Sequence, residues 1–239
     1  RLPLARKAYQ SYLPLMPRAL EELDLSGYDL VMSSEAGPAK GVIPPPGVPH
    51  LCYCHSPMRY IWDQYRAYRD TAGPIQRLMM PSIAHRLRQW DATSATRVDH
   101  FVANSSHVAA RVKSYWRRNA SVVHPPVAIE QFKPAAKEDI GNFYLWLGEL
   151  APYKRPDLAI DAFRELDLPL LVIGGPDSRI KSLAKRAGSK TQFLGRVSDQ
   201  RIKRFLAHCR ALVFPGEEDF GIVPVEAMAS GRPVIAYGR

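Results

Sequence analysis

Cysteine is scarce in this chain, with three among 239 residues, Cys52, Cys54 and Cys209. Their spacing matches no zinc site. Cys52 and Cys54 share one face of an apolar run, which reads as two buried thiols in a reducing compartment. No stretch approaches the roughly 20 uninterrupted apolar residues of a membrane-spanning helix, and the opening residues lack a secretory leader pattern. Also missing are the Gly-x-Gly-x-x-Gly dinucleotide loop, the Gly-x-x-x-x-Gly-Lys phosphate loop and any Asp-x-Asp pair. Those absences set aside the common nucleotide fingerprints. Acidic residues are few as well, 23 against 33 Lys and Arg, for a net charge of +10. Such a surplus implies an anionic partner or surface: nucleic acid, a phosphorylated ligand or anionic lipid. Apolar material is plentiful, at 46% hydrophobic and 10% aromatic, with 23% charged. That balance excludes disorder and suits one large domain or two small ones.

Short apolar, β-rich runs recur along the chain at Tyr28–Met32, His50–Cys54, His100–Ala103, Phe143–Leu147, Leu170–Ile173, Thr191–Leu194, Ala211–Phe214 and Pro233–Ala236. Continuous runs of this length predict strands buried on both faces. Between them lie helical patterns. Pro156 to Leu166 places Leu158, Ala159, Ala162, Phe163 and Leu166 on one side, and Ser198 is expected to cap a helix running to Cys209. Strand–helix alternation with short connections means an α/β fold with parallel sheets. A boundary is expected near Pro125-Pro126, dividing residues 1–127 from 128–239. The chain opens at Arg1 in mid-pattern and closes at Arg239 directly after a strand, so both domains are expected to be truncated pieces of a longer protein.

The stretch from Phe214 to Pro233 carries the most chemistry. A strand ends at Phe214 and an acidic turn follows. A short helix is then expected with Pro224 at its first position, Glu226 in its first turn and Gly231 at its end. Gly221 lets a ligand approach the backbone, and amides at a helix start favour an anion. Glu226 could accept two neighbouring hydroxyls, as on a ribose. Taken singly, Glu226 reads better as a complement to the helix dipole and Glu218 as a solvated carboxylate. Two carboxylates flanking a Phe-Gly turn point to a ligand. A second element, Gly148 to Pro156, sets Lys154 and Arg155 side by side where a strand passes into a helix, a place suited to a diphosphate. All these loops follow strand C-terminal ends, the edge of a parallel sheet where ligands bind.

These residues resemble glycosyltransferase family 4, retaining enzymes of the two-domain GT-B fold. Glu218-Asp-Phe-Gly-Ile-Val-Pro-Val-Glu226 is similar to the family's Glu-x7-Glu signature, and Gly231-Arg-Pro-Val-Ile extends the match. Gly148 to Lys154, Leu194-Gly-Arg-Val-Ser198 and Pro125-Pro-Val127 fall in the family's order. Tyr53-Cys-His-Ser-Pro-Met-Arg-Tyr-Ile-Trp-Asp63 is similar to a segment of bacterial mannosyltransferases that build O-antigen and other surface polysaccharides. The resemblance implies two Rossmann-like parallel-sheet domains, the first on the acceptor side and the second binding the donor. It implies that Glu218 touches donor-sugar hydroxyls, with Phe220, Gly221 and Ile222 at the sugar and phosphate. Glu226 would hold the ribose, Lys154 the diphosphate, and Arg196 and Val197 would border the base. His55 would face the donor from the other domain. Many members carry an arginine directly after the loop glycine, where this chain has Glu149, and Arg155 is the candidate substitute.

The expected activity is metal-independent, retaining transfer of a hexose from a nucleoside-diphosphate sugar to a lipid-linked or glycan acceptor in surface polysaccharide synthesis. GDP-mannose is the favoured donor, acting as substrate with no cofactor. A cytoplasmic location is expected, with peripheral contact on an anionic inner membrane face. That contact would use Arg77, His85, Arg86, Arg88, Arg97, Arg111, Lys113, Arg117 and Arg118, with Leu78, Met79, Met80 and Trp90 nearby; a solvated basic face explains the same residues equally well. A different reading is a nucleic-acid-binding α/β protein that stacks bases on Tyr65, Tyr68, Tyr115 and Trp116. It explains the charge but not the paired glutamates, and no nucleic acid is expected as partner. Further readings are a catalytically inactive fragment and, less favoured, a nucleotide-sugar epimerase of the same architecture.

Overall fold

A computed structural model describes residues 9–238. The chain forms two compact units, one ending at Pro125 and the other beginning at Pro126. Each is built on a wholly parallel sheet.

In the first unit the strands are β1 (Val31–Glu35), β2 (His50–Cys54), β3 (His100–Ala103) and β4 (Ala120–Val122), side by side in that order. The helices are α1 (Met16–Glu21), α2 (Tyr65–Asp70), α3 (Pro74–Ser94) and α4 (Ser106–Trp116). Val108, Val112 and Trp116 recur every fourth residue on α4 and pack on Cys52, Cys54, Phe101 and Ala103 of the sheet. The Ser105 hydroxyl accepts the Val108 amide at 3.2 Å and starts α4; Arg117, in the left-handed region, ends it. A second cluster joins Met58 and Ile61 to Ala84 and Leu87 of α3.

This unit also buries charge. Lys40 is fully enclosed, its ammonium paired with Asp91 and 4.0 Å from Glu35. The Trp62 and Trp116 indoles each donate to Asp91 Oδ2 at 2.7 Å, and Lys40 Nζ lies 4.3 Å from the Trp116 ring centroid. Burial pushes the Glu35 carboxyl up to about 7, with Lys40 pulling the other way. A buried cation needs such partners, because stripping its water costs several kcal/mol.

In the second unit the strands are β5 (Tyr144–Leu147), β6 (Leu170–Ile173), β7 (Thr191–Gly195), β8 (Leu212–Phe214) and β9 (Val234–Ala236), in the order β7-β6-β5-β8-β9. The helices are α5 (Pro156–Leu166), α6 (Asp177–Ala184), α7 (Asp199–His208) and α8 (Ile222–Ala229). Alternate residues of β5 serve opposite faces. Trp146 packs with Ala159, Ile160 and Phe163 of α5, while Leu145 and Leu147 pack with Leu206 of α7 and Ala227 of α8. Burying each leucine, isoleucine or phenylalanine among them stabilises by about 1.5–3 kcal/mol.

The α/β architecture with parallel sheets is as the apolar runs predict, and α5 has its expected bounds. Four details differ. The first strand is Val31–Glu35, three residues later than the apolar run, because its Ser33-Ser34-Glu35 end is polar. The edge strand β4 and the long helix α3, which contains Pro81, lack the continuous apolar signal. Edge strand β1 is not buried on both faces: Met32 and Ser34 are exposed while Val31, Ser33 and Glu35 are buried. The Ser198 side chain makes no capping hydrogen bond, and Gln200 sits one position short of a capping box. Among the described residues, no helix is long and apolar enough to cross a membrane.

Candidate functional site

The loops after β5 and β8 meet at the C-terminal edge of the second sheet. Gly216 is what lets them touch. A Cβ there would lie 2.6 Å from Lys154 Cα and 2.9 Å from the Tyr153 carbonyl, so the acidic turn lies backbone against backbone on the cationic one. The approach puts Lys154 Nζ 3.0 Å from Glu218 Oε2, with each side chain about one-fifth exposed. Lys154 sits at the end of a short 3-10 turn, Pro152–Lys154, and its Nζ is 5.7 Å from the Tyr153 ring centroid. A partly exposed ion pair of this kind can open to an incoming anion and hydroxyl at small cost.

Two residues on from Glu218, Phe220 leads into Gly221, which is buried and adopts φ +84° as the N-cap of α8. A side chain is disfavoured in that left-handed region. Ile222 and Val223 then present amides without intrahelical partners, and Ile222 is exposed. Pro224 occupies the third helical position, not the first, and Glu226 falls in the second turn rather than the first. Glu226 is therefore not placed to complement the helix dipole. It is half-buried on the side toward α7. Burial raises its carboxyl above the usual range, Asp199 adds to the rise and Lys203 opposes it. Among the described residues no hydrogen bond or ion pair joins Glu226 to Lys154 or Glu218. Gly231 closes α8 at φ +71°.

Arg155, in the left-handed region as N-cap of α5, holds Asp157 with its Nε 3.1 Å from Oδ1. It is thus engaged two residues downstream, while Glu149 is exposed. Arg196, just past β7, is exposed and lies over the loop after β6, its Nε 3.2 Å from where a Gly175 Cβ would stand. Val197 packs into the core beside Leu194. An open cavity of about 410 Å³ lies at the other end of the sheet, around Gly141, Phe143, Phe205 and His208, and takes no part in this arrangement.

His55 belongs to the first unit, one residue past β2. Its amide donates to the Glu35 carbonyl at 2.7 Å, and its own carbonyl accepts from Asn104 Nδ2 at 3.0 Å. Its Nε2 is 2.8 Å from Ser34 Oγ, and its ring stands edge-on to Tyr53 at 5.1 Å. Sequence reasoning passed over Ser34 and Asn104. Their only signal is position, each at or just past the C-terminal end of a strand beside the one that leads into His55.

The Glycosyltransferase Family 4 model matches residues 1–131, and that of Glycosyl transferases group 1 matches residues 128–238. The chain belongs to glycosyltransferase family 4. An uncharacterized glycosyltransferase of Methanocaldococcus jannaschii is 31% identical over 147 residues, covering 60% of this chain and 41% of the relative. The O-antigen chain mannosyltransferase C of Escherichia coli is 28% identical over 154 residues, covering 58% and 42%. The family 4 chain here thus spans about two-fifths of the length of the curated relatives it matches. Among solved structures, sucrose-phosphate synthase of Thermosynechococcus elongatus superposes with a TM-score of 0.69 at 18% identity, over 99% of this chain and 62% of that one. Its two units are those of the GT-B fold.

Three of the four aromatics named for base stacking are engaged within the first unit. Trp116 is buried with its indole on Asp91, Tyr115 is stacked on Trp62 at 4.7 Å, and the Arg88 guanidinium lies 4.8 Å from the Tyr65 ring centroid.

Proposed function

We propose that the intact protein transfers a hexose, with mannose favoured, from a nucleoside-diphosphate sugar to a lipid-linked or glycan acceptor in surface polysaccharide synthesis. The observation that carries this reading is the Lys154–Glu218 pair, set by Gly216 beside the glycine-led start of α8. A diphosphate entering there takes the ammonium from Glu218, and the freed carboxylate becomes an acceptor for sugar hydroxyls. The Ile222 and Val223 amides and Lys154 stabilise charge as it builds on the departing diphosphate. No enzymic nucleophile is assigned, because the leaving phosphate can take the acceptor proton, and the anomeric configuration is kept. Glu226 holds the ribose, its half-burial strengthening hydrogen bonds to two hydroxyls. Arg196 and Val197 border the base, Arg155 gives up Asp157 to reach the phosphate, and no metal or cofactor is required. His55 is the working residue of the first unit.

The mannose assignment draws on the similarity to the O-antigen mannosyltransferase and the Tyr53–Asp63 segment. Its test is a thermal-shift panel of nucleoside diphosphates on the intact protein, followed by transfer assays. GDP should raise the melting temperature most and GDP-mannose should be consumed; a larger shift with another base overturns the donor assignment.

The same reading places the first unit against an anionic membrane in the cytoplasm. Four of the nine basic residues serve the interior: Arg88, Arg97, Arg111 and Arg118 donate to backbone carbonyls or pair with Glu21 and Asp63. Trp90 is packed over Gly41 and hydrogen-bonded to Glu21, so it is not a membrane-facing residue. Arg77, His85, Arg86, Lys113 and Arg117 are exposed. The first turns of α3 add Ile75, Leu78 and Met79, which are 76%, 82% and 54% exposed at helical i, i+3, i+4 spacing. An apolar stripe among cations suits an anionic bilayer. Co-sedimentation should require anionic lipid and be weakened by Leu78→Asp; binding indifferent to lipid charge overturns the membrane assignment.

A further inference from the structure

The doublet Ser33-Ser34 makes two serine–histidine pairs on opposite faces of the first sheet. Adjacent residues of a strand point to opposite sides. Ser33 Oγ therefore meets His50 Nε2 on the buried face at 2.9 Å, and Ser34 Oγ meets His55 Nε2 on the other at 2.8 Å. The two pairs share their chemistry and differ in surroundings. His50 is fully enclosed, and burial holds its imidazole below the usual histidine range. His55 is half-buried at the C-terminal edge of the sheet, where parallel folds bind ligands.

Every other contact of His55 among the described residues fixes its backbone or body. The Glu35 carbonyl takes its amide, Asn104 donates to its carbonyl, and Tyr53 abuts its ring. Asn104 is fixed in turn by His124, whose Nδ1 donates to the Asn104 carbonyl at 2.9 Å. Ser34 makes the hydrogen bond to the imidazole itself, and parallel pairing with Tyr53 opposite Ser34 sets its register. Nδ1 of His55 has no hydrogen-bond partner among the described residues. We propose that Ser34 is the positioning residue of His55, holding Nε2 so that Nδ1 is the ring nitrogen left free to act. This rests on the reading of His55 as a working residue of the transfer.

The experiment is a four-variant comparison in the intact protein: Ser34→Ala, Ser34→Thr, Ser33→Ala and His55→Ala. Transfer kinetics and the ring-nitrogen resonances of His55 are read for each. Ser34→Ala should lower kcat about tenfold, the scale seen when a partner that orients a working histidine is lost. KM for the nucleotide sugar should stay within about twofold, and the His55 Nε2 resonance should move. Ser34→Thr keeps the hydroxyl and should restore both. Ser33→Ala should lower the melting temperature while leaving kcat and the His55 resonances in place.

An unmoved Nε2 resonance in Ser34→Ala, or wild-type kcat in that variant beside an inactive His55→Ala, overturns the positioning role alone. Failure of threonine to rescue overturns it too. Wild-type transfer by His55→Ala overturns instead the functional reading of His55, and with it the catalytic consequence of Ser34, while the resonance shift would still report the pair.

Discussion

In the second unit the inner strands β5 and β6 are covered on both faces by apolar side chains, and the Lys154–Glu218 pair sits in loops at the sheet's edge. In the first unit, Lys40, Asp91 and Glu35 lie inside, and the other side of β1 shows Met32 and Ser34 to solvent. The difference teaches that two sheets of one parallel design can carry different liabilities. Both remove apolar area from water, and the first also encloses charges that must find each other across the chain. Residue 40 pairs with residue 91, and residue 62 and residue 116 both donate to residue 91. Breaking one member there leaves the others buried and unpaired, whereas trimming one leucine in the second unit leaves a void.

The largest effect expected from breaking that contrast is Lys40→Met. It leaves Asp91 and Glu35 without their cation, at a cost of about 3–5 kcal/mol. Amide hydrogen exchange should show protection lost across β1–β3 and kept in β5 and β6; uniform protection in both sheets would contradict the account.

A smaller change follows from pH. Burial pushes the Glu35 carboxyl from its ordinary 4.5 up to about 7 when folded. Between those values the folded state holds the extra proton, so this group's contribution is full below about 4.5 and is lost as pH rises to about 7. Denaturant titrations should show that slope in the wild type and a flatter one in Glu35→Gln. Equal slopes would remove Glu35 as its source.

Gly216→Ala tests the second unit, where the ions are at the edge. Its Cβ would meet the Lys154 backbone, so the loops must part, at about 1–3 kcal/mol. Nucleotide-sugar affinity should fall far more than global stability, as calorimetry beside a melting curve would show. The smallest effect is Ser105→Ala, which removes the α4 cap for about 1 kcal/mol. A change below a few tenths would mean the cap bond does not form in solution.

This contrast also explains what the sequence revealed. The strands of the second unit were legible because Leu145-Trp146-Leu147 and Leu170 to Ile173 are apolar on both faces. The placing of Lys154 and Glu218 at one sheet edge was legible because each follows a strand end; their ion pair was not. Much of the first unit was not, because its information is relational. The apolar run stops at Met32, so Ser33-Ser34-Glu35 gives no strand signal until His50 and His55 are set beside it, and nothing in the sequence around Lys40 points to Asp91, 51 residues on. Glu226 was placed one turn too early because Pro224 looked like a first helical residue, whereas the left-handed Gly221 starts the helix two residues sooner.

The central claim is that Lys154 and Glu218 together grip the diphosphate and sugar of a donor. Its most direct test is turnover of a nucleotide sugar by the intact protein carrying Lys154→Ala or Glu218→Ala. The account predicts that each loses at least about 10²-fold in kcat, as when a charge-stabilising group is removed. Transfer at the wild-type rate by both variants would contradict it.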